Sequence, residues 1–132
     1  TRYELAFELA GVDAADRLPR ELVLTVYRIA QEALTNVARH AQAEHARLRV
    51  RLERTAGAPQ GVLDWSVEDD GGGLDHAVAW QRGNGLAGVK DRIWSAGGDL
   101  EWQAAAGDAA RPGLRLHARL PFAAIAEEEQ LS

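Results

Sequence analysis

Apolar and polar positions along the chain sort into runs of two kinds. Residues 3–9 alternate, the period of a half-buried strand, and residues 12–18 form a polar connection ending in Leu18-Pro19. Pro19 suits the first turn of a helix, where its missing N–H is no loss. From there to about Ala41, Val23, Val26, Ala30, Leu34, Val37 and Ala41 recur at intervals of three and four, predicting the longest helix. Residues 45–54 and 61–68 read as strands joined by a hairpin turn through Gly57 and Pro59. A long connection follows, 69–85, with one short helical turn over 74–80. Ordered loops of that length in a small domain are usually functional. Leu86, Val89, Ile93 and Trp94 give helical spacing to 86–96, which stops at Gly97-Gly98. Two further strands, 99–104 and 113–120, are closed by Pro121. The order predicts an α/β (α+β) sandwich, a mixed sheet with helices on one face.

With 132 residues the chain is one domain, large enough to bury roughly two-thirds of its unfolded surface. It holds no cysteine, so neither a disulfide nor a thiolate metal site is available, and a cytoplasmic setting is expected. No run approaches the ~20 apolar residues of a membrane span. The chain starts at Thr1 and has no methionine, which suggests a domain of a longer protein. A net charge of -5 argues against a nucleic-acid partner. Arg47, Arg49 and Arg51 alternate on one strand face and read as a solvated exterior. The acidic stretch 123–132 reads as a tail beyond a domain of residues 1–122.

The candidate chemistry lies in three places. On the long helix Arg28, Glu32, Asn36 and His40 recur every four residues and form a polar row beside the apolar stripe. Such a row can be a solvated helix edge. It can equally offer a carboxylate and a neutral amide oxygen, a set that suits Mg2+ retaining several waters and sharing phosphate oxygens. Next, Asp69-Asp70-Gly71-Gly72-Gly73 follows a strand. A turn explains it, as does a carboxylate accepting from an exocyclic amine where glycine lets a ligand approach the backbone. No glutamate closes a calcium loop at the twelfth position. Third, Gly83-Asn84-Gly85-Leu86-Ala87-Gly88 opens a helix whose N–H groups and dipole favour phosphate. The same glycines satisfy a dinucleotide fingerprint, but that motif follows directly on a first strand and leaves the Glu32–Asn36 row unexplained.

In this order and spacing the three elements resemble the ATP-binding catalytic domain of bacterial sensor histidine kinases, within the superfamily shared with type II topoisomerases, Hsp90 chaperones and MutL proteins. The likeness runs from about Leu18 to Pro121, and Arg28-Ile29-Ala30-Gln31-Glu32-Ala33-Leu34-Thr35-Asn36-Val37-Ala38-Arg39-His40-Ala41 resembles the N box of the nitrate-sensor-like subfamily. The resemblance implies a Bergerat-type fold and the cofactors ATP and Mg2+. Asn36 would be the metal ligand, Glu32 the residue orienting a metal-bound water or acting as base, and Arg39 and His40 neighbours of the triphosphate. Asp69 would read adenine, with Gly71 and Gly73 as close-approach positions. Gly83, Gly85, Leu86 and Gly88 would form the second glycine box at the end of a lid. Implied partners are a histidine-bearing dimerisation domain of the same protein, a response regulator and a second copy of the parent kinase.

Two departures stand out. Gly113-Leu114 replaces the usual Gly-Thr, removing a hydroxyl that supports the adenine contact, so weakened nucleotide affinity is expected. No helix carries a phosphoacceptor His-Asp or His-Glu pair, and His45, His76 and His117 read as surface or packing residues. The alternatives are an anti-sigma-factor-type serine kinase and a degenerate, non-catalytic signalling module.

Overall fold

Alternation in the sequence becomes strand pairing in the computed structural model, which describes residues 1–10, 16–41, 43–54, 58–72, 85–105, 112–123 and 125–126. The strands are β1 (Arg2–Ala10), β2 (Asp16–Arg17), β3 (His45–Arg54), β4 (Gln60–Asp69), β5 (Asp99–Gln103), β6 (Leu114–Ala123) and β7 (Ile125–Ala126). Five form one mixed sheet in the order β1-β3-β4-β6-β5. β1 runs parallel to β3, with Leu5 beside Leu48, and the remaining pairs are antiparallel. A parallel neighbour requires a long crossover, and helix α1 (Arg20–Asn36) supplies it.

One face of the sheet carries the apolar residues Val50, Leu52, Leu63, Trp65, Val67, Leu116, Ala118 and Leu120, all buried. Helices α1 and α2 (Gly85–Ser95) pack against each other on this face, α1 over β4 and α2 over β5. The expected sandwich with helices on one face is therefore the observed one. The opposite face is polar. There Arg47 pairs with Glu4 of β1 at 3.2 Å, Arg51 lies 4.0 Å from Glu8, and His117 bonds Asp64 at 2.8 Å. The three strand arginines are exposed and two of them meet glutamates, which accounts for their alternation.

Several details depart from the sequence pattern. α1 buries Leu22, Ile29 and Ala33, whereas Val23 is 50 % exposed, so the buried stripe is rotated by part of a turn from the one read in the sequence. The helix carries apolar residues on more than one arc, and contact with α2 and β4 selects among them. Pro19 stands at the N-cap, its carbonyl accepting from Val23 N–H, and the helix proper begins at Arg20. Residues Val37–Ala41 continue as a π-helical turn. Pro121 does not close the last strand: β6 runs on to Ala123. Its pairing with β5 ends at Arg119, so Pro121 has a strand neighbour on one side only and its missing N–H breaks no ladder there. The two-residue strands β2 and β7 pair with each other, placing Ile125–Ala126 of the expected tail against the segment before α1.

α2 ends as its glycines require. Gly98 N–H bonds the Ile93 carbonyl and Gly97 N–H that of Trp94, both at 2.9 Å, with Gly97 at φ 81°, the left-handed C-terminal cap that glycine adopts without strain.

Candidate ATP site

β4 delivers Asp69 to the end of the sheet on its helix-covered face, paired with Ala46 on one side and Leu114 on the other. The side chain is 4 % exposed, the one charged residue buried among the described residues. A buried carboxylate needs donors. Gly71 N–H supplies one, at 2.8 Å from Oδ1. Gly113 N–H in turn bonds the Gly71 carbonyl at 3.1 Å, tying the turn after β4 to the start of β6. Gly113 sits at φ 70°, and a Cβ there would collide with the Asp69 carbonyl oxygen. Glycine is thus required at 113 by both conformation and space. Leu114, the departure noted above, turns into the core and is 1 % exposed.

The second group lies in the seam between the helices. Glu32 Oε1 accepts from Arg92 Nε at 3.2 Å and lies 3.1 Å from Arg92 Nη2. Its other oxygen, Oε2, is shut off from solvent and has no hydrogen-bond partner among the described residues. Gly88 passes so close that a Cβ on it would stand 3.0 Å from Oε2. Gly88 and Arg92 are one turn apart on α2 and so meet Glu32 together. Asn36 ends α1 and is half-buried, one turn beyond Glu32. Arg39 is exposed in the π-helical turn. His40 also falls in this turn.

Gly85 and Leu86 open α2. Gly73, Gly83 and His76 lie outside the described residues, as does the short helical turn expected at 74–80. The structure therefore joins Glu32 to Gly88, and Asp69 to Gly71, as two groups on neighbouring elements. Arg92 was missed as a contributor, and its signal was a cation four residues after Gly88. Gly113, read in the sequence only as part of the Gly113-Leu114 departure, ties the turn after β4 to β6.

A third cluster caps the start of β3. Asp70 Oδ1 accepts from the N–H groups of Glu44 and His45 at 2.7 and 3.0 Å, and Oδ2 lies 3.0 Å from His45 Nδ1. Chiefly the His45 N–H lowers the Asp70 pKa to about 2, aided by the His45 ring and the Glu44 N–H. Glu44, His45 and Asp70 bring three ligand-type atoms within 4.8 Å of one another, but Asp70 is already committed to the backbone of β3. A hollow of about 370 Å3 beside this cluster reaches Asp69 and is otherwise lined by residues such as Glu4, Arg47 and Glu68. A larger groove, about 740 Å3, opens near the N-terminus of α1 between Leu22, Leu24 and Phe122, and reaches Arg92 on α2.

Residues 22–124 match the family model of histidine kinase-, DNA gyrase B- and HSP90-like ATPases. The chain belongs to this family. Membership in this ATPase family implies ATP as ligand. The sensor histidine kinase YxjM of Bacillus subtilis (strain 168) is 32 % identical over 129 residues, which is 96 % of this chain and 28 % of that protein. The chain thus spans under a third of this curated relative. Among solved structures, the blue-light activated histidine kinase of Erythrobacter litoralis superposes with a TM-score of 0.61 at 20 % identity, covering 91 % of this chain and 35 % of that one. The mycobacterial sensor histidine kinase MprB gives 0.59 at 22 %, covering 93 % and 84 %. These structures share the fold. No helix among the described residues of this ATPase domain is long and apolar enough to cross a membrane.

Proposed function

We propose that this ATPase domain is the catalytic domain of a sensor histidine kinase, which binds Mg-ATP and transfers the γ-phosphoryl group to a histidine on a separate dimerisation domain of the same protein. The observation that carries the reading is Asp69: a carboxylate buried at the mouth of the helix-covered face, anchored through Oδ1 by Gly71 N–H. A carboxylate accepts from the exocyclic amine of adenine and repels the carbonyl that guanine presents at the same position. Gly72, next along the same turn, has open space where a Cβ would stand, so a flat base can approach the backbone there. The first turn of α2, with Gly85, Leu86 and Gly88, offers N–H groups and the positive end of a helix dipole to the phosphates. The family resemblance adds Gly83, Arg39 and His40 to that contact and makes Gly73 a close-approach position beside the base.

The donor set fits a magnesium ion. Asn36 offers a neutral oxygen, and the buried, unpartnered Oε2 of Glu32 can accept from a water in the ion's shell. When bound, Mg2+ neutralises charge on the phosphate oxygens. Glu32 orients water or accepts the proton of the attacking histidine, and Asn36 fixes the ion's position. Catalysis in such a site is largely positioning and electrostatics. A response regulator then receives the phosphoryl group, and the parent kinase works as a cytoplasmically disposed homodimer. No nucleic acid takes part.

The test is to incubate the intact kinase that contains this chain with γ-labelled ATP. The account expects label that is lost in acid and kept in base, the behaviour of phosphohistidine, and its loss in Asn36→Ala. Acid-stable phosphoserine on a partner protein would instead establish the serine-kinase reading. A folded protein that acquires no label and ignores nucleotide would establish a degenerate module.

A further inference from the structure

We propose that Arg92 is a positioning residue of the ATP site: it holds one oxygen of Glu32 so that the other is kept available to a water on the nucleotide's metal ion. The inference rests on the reading of Glu32 given above and adds a residue to it. Two contacts at 3.1 and 3.2 Å, from Nη2 and Nε, fall on the same carboxylate oxygen, Oε1. A guanidinium engaging both oxygens would consume the carboxylate; engaging one leaves the second as a free acceptor with its direction set. That second oxygen, Oε2, is cut off from solvent and has no partner among the described residues, an arrangement expensive to maintain unless a ligand completes it.

Gly88 completes the device. A Cβ at 88 would stand 3.0 Å from Oε2, so the bare backbone of α2 gives the Glu32 carboxylate room to lie against the helix. Gly88 and Arg92 stand four residues apart, and one helix therefore both anchors Oε1 and accommodates Oε2 against its bare backbone. Because α2 also opens with the second glycine box, Arg92 couples the helix that faces the phosphates to the helix that carries Glu32 and Asn36. Partners of this kind, which orient a metal-site residue without touching the metal, commonly govern affinity about tenfold or more.

The experiment is calorimetric titration of this chain with ATP in Mg2+ and in EDTA, for the wild type, Arg92→Met, Arg92→Lys, Glu32→Gln and the Arg92→Met/Glu32→Gln pair. Arg92→Met is expected to lose about tenfold in ATP affinity in Mg2+ and to change by less than about twofold in EDTA. Arg92→Lys regains part of that loss, and the double variant is no worse than Glu32→Gln alone because Arg92 acts through Glu32. Near-ultraviolet circular dichroism reports whether each variant keeps its packing, and Arg92→Lys carries the test if Arg92→Met does not fold. Equal losses with and without Mg2+, additive losses in the double variant, or no loss at all would overturn the proposal while leaving the ATP site standing. A folded wild type that binds no ATP under either condition would overturn both.

Discussion

Single residues show how the site is held. Asp70 is a clear case, since its carboxylate is claimed by two backbone N–H groups and a histidine ring and its pKa falls to about 2. The folded pKa lies below the ordinary aspartate value, so the unfolded chain binds the proton more tightly and folding is favoured by rising pH. The contribution is complete above about pH 5 and is lost as pH falls through 2. Urea unfolding of wild type and Asp70→Ala across pH 2–5 should show a gap that closes toward the acid end. The group is partly exposed, which keeps the gap small. Gly113 is the second case. Gly113→Ala must place a Cβ against the Asp69 carbonyl at φ 70°, and we expect a loss of about 2 kcal/mol or more in unfolding free energy, read from the same urea midpoints.

At the scale of elements, Gly88→Ala separates a site effect from a folding effect. Its new methyl group meets the end of the Glu32 side chain, and a carboxylate can move, so stability should change by less than about 1 kcal/mol while ATP affinity in Mg2+ falls. Thermal unfolding and calorimetry on one sample decide this. The strands and both helices were legible because their apolar spacing follows geometry fixed by the backbone. The polar row on α1 was legible for the same reason, through Asn36, the last residue of α1. Less legible was anything settled by a distant neighbour. Val23 and Leu22 look alike in the sequence, and contact with the sheet and α2 decides which is buried. Arg92 lies 60 residues from Glu32, so no local pattern joins them. β2 and β7, two residues each, are too short to leave a period at all.

At the scale of the molecule, the core sits under α1 and α2 on the middle and far strands, while β1 lies at the opposite edge. Ile93 is fully buried between α2 and the sheet, whereas Leu5 on β1 is 75 % exposed, with Tyr3, Phe7 and Leu9 also exposed on the same face. Ile93→Ala should therefore cost about 2–5 kcal/mol and Leu5→Ala less than about 1, measured by chemical denaturation. This asymmetry gathers the rigid packing under Glu32, Asn36 and Asp69, where positioning matters most. The central claim is that Asp69 reads adenine in this pocket. Its most direct test is calorimetric titration with ATP and with GTP at fixed Mg2+, for the wild type and for Asp69→Asn. We predict that the wild type binds ATP and rejects GTP, and that Asp69→Asn loses about 10–100-fold in ATP affinity as its charged acceptor becomes neutral and it gains a donor that suits guanine, narrowing the preference. Equal binding of the two nucleotides by the wild type, or an ATP affinity unchanged by Asp69→Asn, would contradict the account.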